Sequence, residues 1–358
     1  MPAASETTKT RLGAIEGIRG IAAVGIVVLH CWIVSGRPTD LLSASWWGPL
    51  RMAVPLFFVL SGYFAMAPWL RAALEGADRP AARELVLKRA ARIFPVFWVT
   101  GAAAFVILAG TGSYAMPNAK ETVAYVLMLH DWVPGATGKL NPPSWTLPIE
   151  LSFALVLPLI GWTILRFASD NRERVFGLIC VLWLAGMGYC AWFDAADPSR
   201  AWARTVMLML PSFAAGMGAA VLCYKRTMPR ALARALMIGG SAVFLWYLAG
   251  PLGHLQASLP YRDVIPAICF AAIVAGAAAH GPRWLGSPQL VWLGSRSFGL
   301  YLWHYPVIFL LTERLGWPGQ FWGTAIALVA GLGLAELTFH TVERPVGGLL
   351  TARRATAQ

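Results

Sequence analysis

The first long apolar segment of the chain, residues 14–36, contains an arginine and a histidine. Arg19 and His30 are eleven residues apart, which is three helical turns plus about 20°, so their side chains share one helix face. The helical rise between them is about 16 Å. Ionisable side chains are costly in a bilayer and mark binding sites or proton pathways by default. A snorkelling arginine and a histidine bonded to a neighbouring helix would give the same pattern, so the pair alone leaves the function open.

Two further ionisable residues fall inside apolar segments. Glu150, in "NPPSWTLPIELSF", occupies the first turns of a predicted helix, where the positive end of the helix dipole favours a carboxylate. His304 lies in the middle of the segment that contains "SFGLYLWHYPVIF". Counted along their helices, His30, Glu150 and His304 all fall in the middle or outer part of a bilayer. We therefore expect these side chains to meet and to supply acid–base chemistry.

The stretch "LKRAARIFP" places two arginines at the start of the third apolar segment. Arg89 and Arg92 are three residues apart, so they are neighbours on one helix face. Two guanidinium groups suit a diphosphate, because each presents a planar fork of donors to phosphate oxygens. Ordinary anchoring of a membrane helix at the cytoplasmic surface produces the same motif, which is therefore weak by itself.

The composition indicates where these residues must work. Of the 358 residues, 58% are hydrophobic and 13% are charged, and the mean hydropathy is +0.60. A water-soluble domain of this length could not bury so much apolar surface around one core. The net charge is +12, but the basic residues lie in particular loops, which argues against a nucleic-acid-binding protein. The five cysteines show no C-x-x-C spacing, so we predict neither a metal site nor a disulfide framework.

The apolar runs predict an all-α polytopic membrane protein with about ten transmembrane helices. Of the 29 Lys and Arg residues, twenty fall in the termini and loops of one side and eight in the loops of the other. Because cytoplasmic loops carry the excess of basic residues, we expect both termini in the cytoplasm. A further segment, 121–130, is too short to cross and is expected to be interfacial or re-entrant. The expected spans are 14–36, 46–69, 91–112, 144–167, 175–194, 204–223, 231–250, 262–280, 294–314 and 319–341.

Six motifs occur in a fixed order along nearly the whole chain. They are "GIRGIAAVGIVVLH", "VPLFFVLSGYF", the R-x-x-R of "RAARIFP", "SWTLPIE", "SRSFGLYLWHYPV" and the terminal "VERP". Each is weak alone, but together they resemble the acyltransferase-3 family of integral-membrane O-acyltransferases. The resemblance implies a multi-pass protein of the bacterial inner membrane. It implies a cytoplasmic segment at 1–13, a membrane-only acyltransferase domain at 14–345 and a disordered cytoplasmic tail at 346–358.

The resemblance also assigns roles to residues. It implies an acyl-CoA donor, by default acetyl-CoA, arriving from the cytoplasm, and no permanently bound cofactor. Arg89 and Arg92 match ligands of the CoA phosphates, and Arg19 matches a further donor-side or structural arginine. His30 matches the catalytic residue, with Glu150 beside it. The expected active-site wall consists of Ser61, Asn141, Trp145, Tyr301 and His304.

The mechanism expected from these residues is direct transfer. Neutral His30 takes the proton of an acceptor hydroxyl as that hydroxyl attacks the thioester, while either Glu150 or His304 orients the imidazole. A covalent acyl-histidine is an open alternative. The expected acceptor is a sugar hydroxyl on an envelope polysaccharide or its lipid-linked precursor, contacted by the outer segment 111–143. A small natural product such as a macrolide is the second possibility.

A proton-coupled transporter is the competing class of function. Buried histidine and glutamate also serve as proton relays, and about ten spans suit a carrier. The two halves of the sequence, however, show no convincing repeat of the kind found in many carriers.

Overall fold

The computed structural model describes residues 6–36, 48–196, 205–248 and 263–348, and within these ranges the chain is helical with no strand. Eleven α-helices follow one another along these ranges, joined by short 3₁₀ turns and two π-helical turns. The predicted all-α class is confirmed. The helices are α1 Glu6–Val34, α2 Ala53–Glu75, α3 Ala82–Leu108, α4 Ala119–Val126, α5 Thr146–Phe167, α6 Arg172–Ala196, α7 Val206–Cys223, α8 Arg230–Leu248, α9 Val264–His280, α10 Pro288–Leu310 and α11 Gln320–Thr338.

Eight of the described helices are long and apolar enough to cross a membrane, as judged by length and composition. They are α1, α2, α3, α5, α6, α7, α8 and α11, while α9 is a shorter apolar helix. The chain is therefore a multi-pass integral membrane protein, as predicted. The total of about ten spans and the cytoplasmic position of the termini stay predictions, as do the domain bounds. The end of the expected tail, 349–358, lies outside the described residues.

Several helix ends differ from the predicted spans. The third span was expected at 91–112, but α3 begins at Ala82 and ends at Leu108. Hydropathy marks where a helix enters lipid, whereas backbone hydrogen bonding continues through the charged turns before it. The arginine pair therefore lies within a regular helix. The short segment expected at 121–130 is α4, and it begins at a capping box formed by Asn118 and Glu121.

The chain divides into two compact units. The first comprises Met1–Arg19, Met52–Ala82 and Ser152–Val291. Its helices α2 and α7 are in backbone contact at Gly62, where an added Cβ would overlap the Phe213 carbonyl. Aromatic side chains fill the same region, with the rings of Phe153 and Phe213 stacked at a centroid distance of 3.9 Å. Arg19 and Ser61 belong to this first unit.

The second unit comprises Gly20–Arg51, Arg83–Leu151 and Trp292–Gln358, and it holds all the other predicted site residues. Glycines again allow close helix packing, since a Cβ at Gly299 would come within 2.9 Å of Ala335. The segment 109–145, between α3 and α5, also belongs to this unit. It has backbone bonds of its own, such as Leu140 N to the Ala115 carbonyl over 3.0 Å. The second unit therefore positions the candidate chemistry.

Candidate active site

Two histidines that are far apart in sequence contact each other in the second unit. Nδ1 of His30, on α1, lies 2.9 Å from Nε2 of His304, on α10. The rings are stacked, with centroids 5.0 Å apart and planes inclined by 14°. His304 is fully buried, at 0% exposure, whereas His30 keeps part of its surface accessible. A substrate could therefore reach His30 while His304 supports it from within the protein.

The hydrogen bonds of this pair fix where the protons lie. Nδ1 of His304 lies 3.2 Å from the Leu300 carbonyl, which can only accept, so this nitrogen carries a hydrogen and donates it. In a neutral ring the other nitrogen of His304 is then an acceptor, and it takes the Nδ1–H of His30. Nε2 of His30 is left with a free lone pair. This is the form of imidazole that a general base requires.

A tyrosine that the sequence analysis did not select stands beside both rings. Tyr305 meets His30 edge-on at a centroid distance of 5.2 Å and meets His304 in the same way at 5.6 Å. It follows His304 directly in sequence, and in a helix that neighbour normally points elsewhere. The edge-on contact with His30 comes from the way α1 packs on α10. No sequence pattern could have predicted that packing.

The wall residues Asn141 and Tyr301 fix the start of α5 against α10. The 3₁₀ turn Pro142–Trp145 leads directly into α5. The Tyr301 hydroxyl donates to the Pro143 carbonyl and lies 3.0 Å from the Thr146 hydroxyl. The Asn141 amide donates to the Leu302 carbonyl over 2.9 Å. These bonds join the turn to the helix that carries His304, so they position both elements.

Glu150 forms an ion pair with an arginine of α3, and its expected catalytic role stays a prediction. Its carboxylate pairs with the guanidinium of Arg89, and their side chains are 13% and 24% exposed. Among the described residues, the hydrogen-bond partner of His30 is His304, which was the alternative orienting residue. The signal at Glu150 was an acidic residue in an apolar helix. Its partner lies 61 residues earlier in sequence, so that signal could not identify it.

The arginines occupy different environments. Arg89 is partly buried beside Glu150, and Arg92, one turn further along α3, is exposed. A guanidinium has five donor hydrogens, more than one carboxylate can accept. Arg19 pairs with Glu16 one turn earlier on α1, with its Nη1 at 2.8 and 3.0 Å from the two carboxylate oxygens. The roles expected for these arginines stay predictions.

A second buried histidine also escaped the sequence analysis. Nε2 of His130 lies 3.2 Å from the hydroxyl of Ser144, and its ring packs on Phe97 and Tyr125. Burial raises the pKa of the Tyr125 hydroxyl, which keeps it protonated. Both His130 and Ser144 are 1% exposed. The cluster consequently stabilises the segment before α5 instead of facing a substrate.

In the described part of the chain no group of three or more His, Cys, Asp or Glu could hold a metal ion.

Comparison with known proteins identifies the family. A family model described as an acyltransferase domain matches residues 12–338, which include both histidines, both ion pairs and the turn before α5. The chain belongs to the acyltransferase-3 family. The resemblance expected from the six motifs is confirmed, and the family is one of acyltransferases, not of transporters.

Curated relatives of this acyltransferase-3 protein are bacterial. It is 22% identical to peptidoglycan O-acetyltransferase OatA of Listeria monocytogenes, over 93% of this chain and 55% of that protein. It is 24% identical to nodulation protein 10 of Rhizobium leguminosarum, over 94% of this chain and 93% of that protein. It is 27% identical to acyltransferase MdmB of Streptomyces mycarofaciens, over 97% of this chain and 94% of that protein. The chain spans about half the length of the peptidoglycan O-acetyltransferases that it matches. No solved structure matches it.

Proposed function

We propose that this protein transfers an acyl group, by default acetyl, from acyl-CoA to a hydroxyl of a carbohydrate acceptor. The observation that carries the proposal is the series of hydrogen bonds from the Leu300 carbonyl through His304 to His30. A general base must offer a lone pair, and these hydrogen bonds leave one on Nε2 of His30. Membership of an acyltransferase family supplies the class of reaction.

One general base is sufficient for the transfer step, because the proton that it takes from the acceptor returns to the leaving group. Nε2 of His30 takes the proton from the acceptor hydroxyl as the oxygen attacks the thioester carbonyl carbon. A C–O bond forms, the C–S bond breaks, and the leaving CoA sulfur recovers the proton from His30. A covalent acyl-histidine is the alternative route. It would place the acyl group on the same nitrogen before the acceptor attacks.

His304 is the orienting partner in this mechanism. It accepts the Nδ1–H of His30, which keeps the reactive lone pair on Nε2, and that bond strengthens when His30 becomes an imidazolium. The burial of His304 shields the bond from competing water. This arrangement favours His304 over Glu150 for the role that the sequence left open between them.

The donor phosphates are proposed to bind at the arginines of α3. Arg92 is exposed, so its guanidinium is accessible to a ligand. Arg89 is held in place by Glu150, so its guanidinium is pre-oriented for binding. Two guanidinium groups one turn apart suit the diphosphate of CoA.

The acceptor class is proposed from the relatives. Two matches carry the name peptidoglycan O-acetyltransferase, one from Listeria monocytogenes and one from Bacillus subtilis. A sugar hydroxyl of an envelope polysaccharide, or of its lipid-linked precursor, is therefore the acceptor we propose. The protein would work in the bacterial inner membrane, where both the donor from the cytoplasm and such a precursor are available.

The proposal is tested with purified protein in lipid nanodiscs. Acetyl-CoA labelled in the acetyl group is added, and free thiol and labelled product are measured with and without oligomers of N-acetylglucosamine. We expect thiol release that rises with the sugar and a label that appears on the sugar. Protein that binds no acetyl-CoA and releases no thiol would overturn acyl-CoA as the donor.

The natural acceptor is identified in the source cell. Mass spectrometry of envelope glycans compares the wild type with a deletion strain and with the strain complemented by the gene. We expect one class of O-acetyl ester to disappear and to return on complementation. An unchanged glycan profile together with the loss of an acylated small metabolite would assign the protein to a natural-product acceptor.

A further inference from the structure

Tyr305 offers a functional group directly at the histidine pair. Its ring stands edge-on to His30 and His304, and its side chain is partly exposed. In the described part of the chain its hydroxyl makes no hydrogen bond, whereas the Tyr301 hydroxyl, one turn earlier on the same helix, bonds to the Pro143 carbonyl. A phenol beside a candidate general base, without a hydrogen-bond partner among the described residues, suits a hydrogen bond to a substrate.

Tyr114 presents an aromatic ring on the segment 109–145. Its side chain is 80% exposed, although three hydrogen bonds hold the residues around it, two of them through the backbone. The Lys139 ammonium donates to the Tyr114 carbonyl, the Ser113 hydroxyl donates to Glu313 over 3.3 Å, and Leu140 N donates to the Ala115 carbonyl over 3.0 Å. A large apolar ring held in solvent on a fixed backbone is typical of a binding surface.

The segment that carries Tyr114 is held at the end of the helix that carries Tyr305. Ser113, next to Tyr114, bonds to Glu313, and Arg314 donates to the Ile107 carbonyl over 2.9 Å. Glu313 and Arg314 belong to the π-helical turn that follows α10. Tyr305 lies two turns earlier on α10 and contacts His30. The charge pattern of the loops predicts that the segment 109–145 lies on the outer side of the membrane.

We propose that Tyr114 and Tyr305 position the carbohydrate acceptor of this enzyme. A sugar presents an apolar face that stacks on an aromatic ring and hydroxyls that bond to polar groups. The sugar ring would stack on Tyr114, and one of the sugar hydroxyls would bond to Tyr305. The hydroxyl to be acylated would lie at Nε2 of His30. Both tyrosines act as positioning residues. This inference rests on the proposed acyl transfer.

Kinetics with the sugar as the varied substrate test the inference. Thiol release from acetyl-CoA is measured in nanodiscs against oligomers of N-acetylglucosamine, and acetyl-CoA binding is measured separately. We expect Tyr114→Ala to raise the KM for the sugar about 2- to 10-fold and Tyr114→Phe to restore it. Tyr305→Phe should raise the same KM by a similar factor, because only the hydroxyl is lost. The Kd for acetyl-CoA should stay at the wild-type value in all three variants.

The matched control is Trp284→Ala in the first unit, which removes another exposed aromatic side chain, 60% exposed. It should leave the KM for the sugar unchanged. A Tyr114→Ala or Tyr305→Phe protein with the same KM as this control would overturn the inference. Wild-type protein whose thiol release no sugar stimulates would contradict the proposed carbohydrate acceptor. Wild-type protein that releases no thiol at all would instead contradict the proposed function.

Discussion

Nδ1 of His30 donates a hydrogen bond over 2.9 Å to Nε2 of His304, a residue 274 positions further along the chain. The Leu300 carbonyl fixes the donor nitrogen of His304, and His304 fixes the donor nitrogen of His30. One backbone oxygen thereby determines which nitrogen of the partly exposed imidazole is free to take a proton.

Substitution of His304 tests this orienting role. His304→Gln keeps an amide oxygen that can accept the Nδ1–H of His30, whereas His304→Leu removes every acceptor. Loss of such a bond costs about 1–3 kcal/mol, so we expect His304→Leu to lower kcat about 5- to 150-fold and His304→Gln to retain most of the lost rate. The KM for acetyl-CoA should change little. Equal rates in the two variants would show that His304 only fills space.

The ion pair between Arg89 and Glu150 is expected to couple stability with donor binding. Removing one partner of this partly exposed pair should cost about 1–3 kcal/mol of unfolding free energy. Arg89→Ala should also weaken acetyl-CoA binding about tenfold, whereas Glu150→Gln should mainly lower stability. The measurements are unfolding in detergent and acetyl-CoA titration, for both single variants and the double variant.

Arg92→Ala is the matched control for that experiment. Arg92 is exposed, so its removal should change the unfolding free energy by less than about 0.5 kcal/mol while still weakening acetyl-CoA binding. Additive effects of Arg89→Ala and Glu150→Gln on stability would contradict a direct ion pair. Unchanged donor affinity in both arginine variants would remove α3 from the donor site.

The Tyr301 hydroxyl is expected to act by holding the start of α5 against α10. Tyr301→Phe deletes the bond to the buried Pro143 carbonyl and the contact with Thr146, at an expected cost of about 1–3 kcal/mol in unfolding free energy. Since the first turn of α5 and α10 would separate slightly, kcat should fall together with stability. Thr163→Ala is the control, because the Thr163 hydroxyl bonds only to the Leu159 carbonyl of its own helix. A Tyr301→Phe protein as stable as this control would show that the bond holds nothing in place.

Backbone contact between α2 and α7 predicts a strict need for glycine. A Cβ at Gly216 would overlap the Val59 carbonyl, so we expect Gly216→Ala to lower the unfolding free energy by about 1–3 kcal/mol. A Cβ added at Gly177, on α6, would meet no other atom within 4 Å, and Gly177→Ala should be neutral or slightly stabilising. Thermal unfolding in detergent compares the two. An equally stable Gly216→Ala protein would contradict this helix packing.

Hydropathy and charge predicted the helices well, because membrane spans must satisfy their backbone groups internally and need a minimum apolar length. They also located His30, Glu150 and His304 as anomalies. Hydropathy and charge could not show which of these residues contact each other. Depth in a bilayer fixes how far along a helix a residue lies, but not which way the helix is rotated. The structure therefore joins Glu150 to Arg89 and leaves His304 with His30. Tyr305 was missed since aromatic residues are common in every span of this chain.

The rate of acyl transfer by His30→Ala tests the central claim most directly. The variant is purified in nanodiscs, its folding is checked by thermal unfolding against the wild type, and transfer from labelled acetyl-CoA to oligomers of N-acetylglucosamine is measured. If His30 is the general base, the rate falls by about 10²- to 10⁴-fold while acetyl-CoA still binds. A folded His30→Ala protein that transfers acetyl at the wild-type rate would contradict the claim.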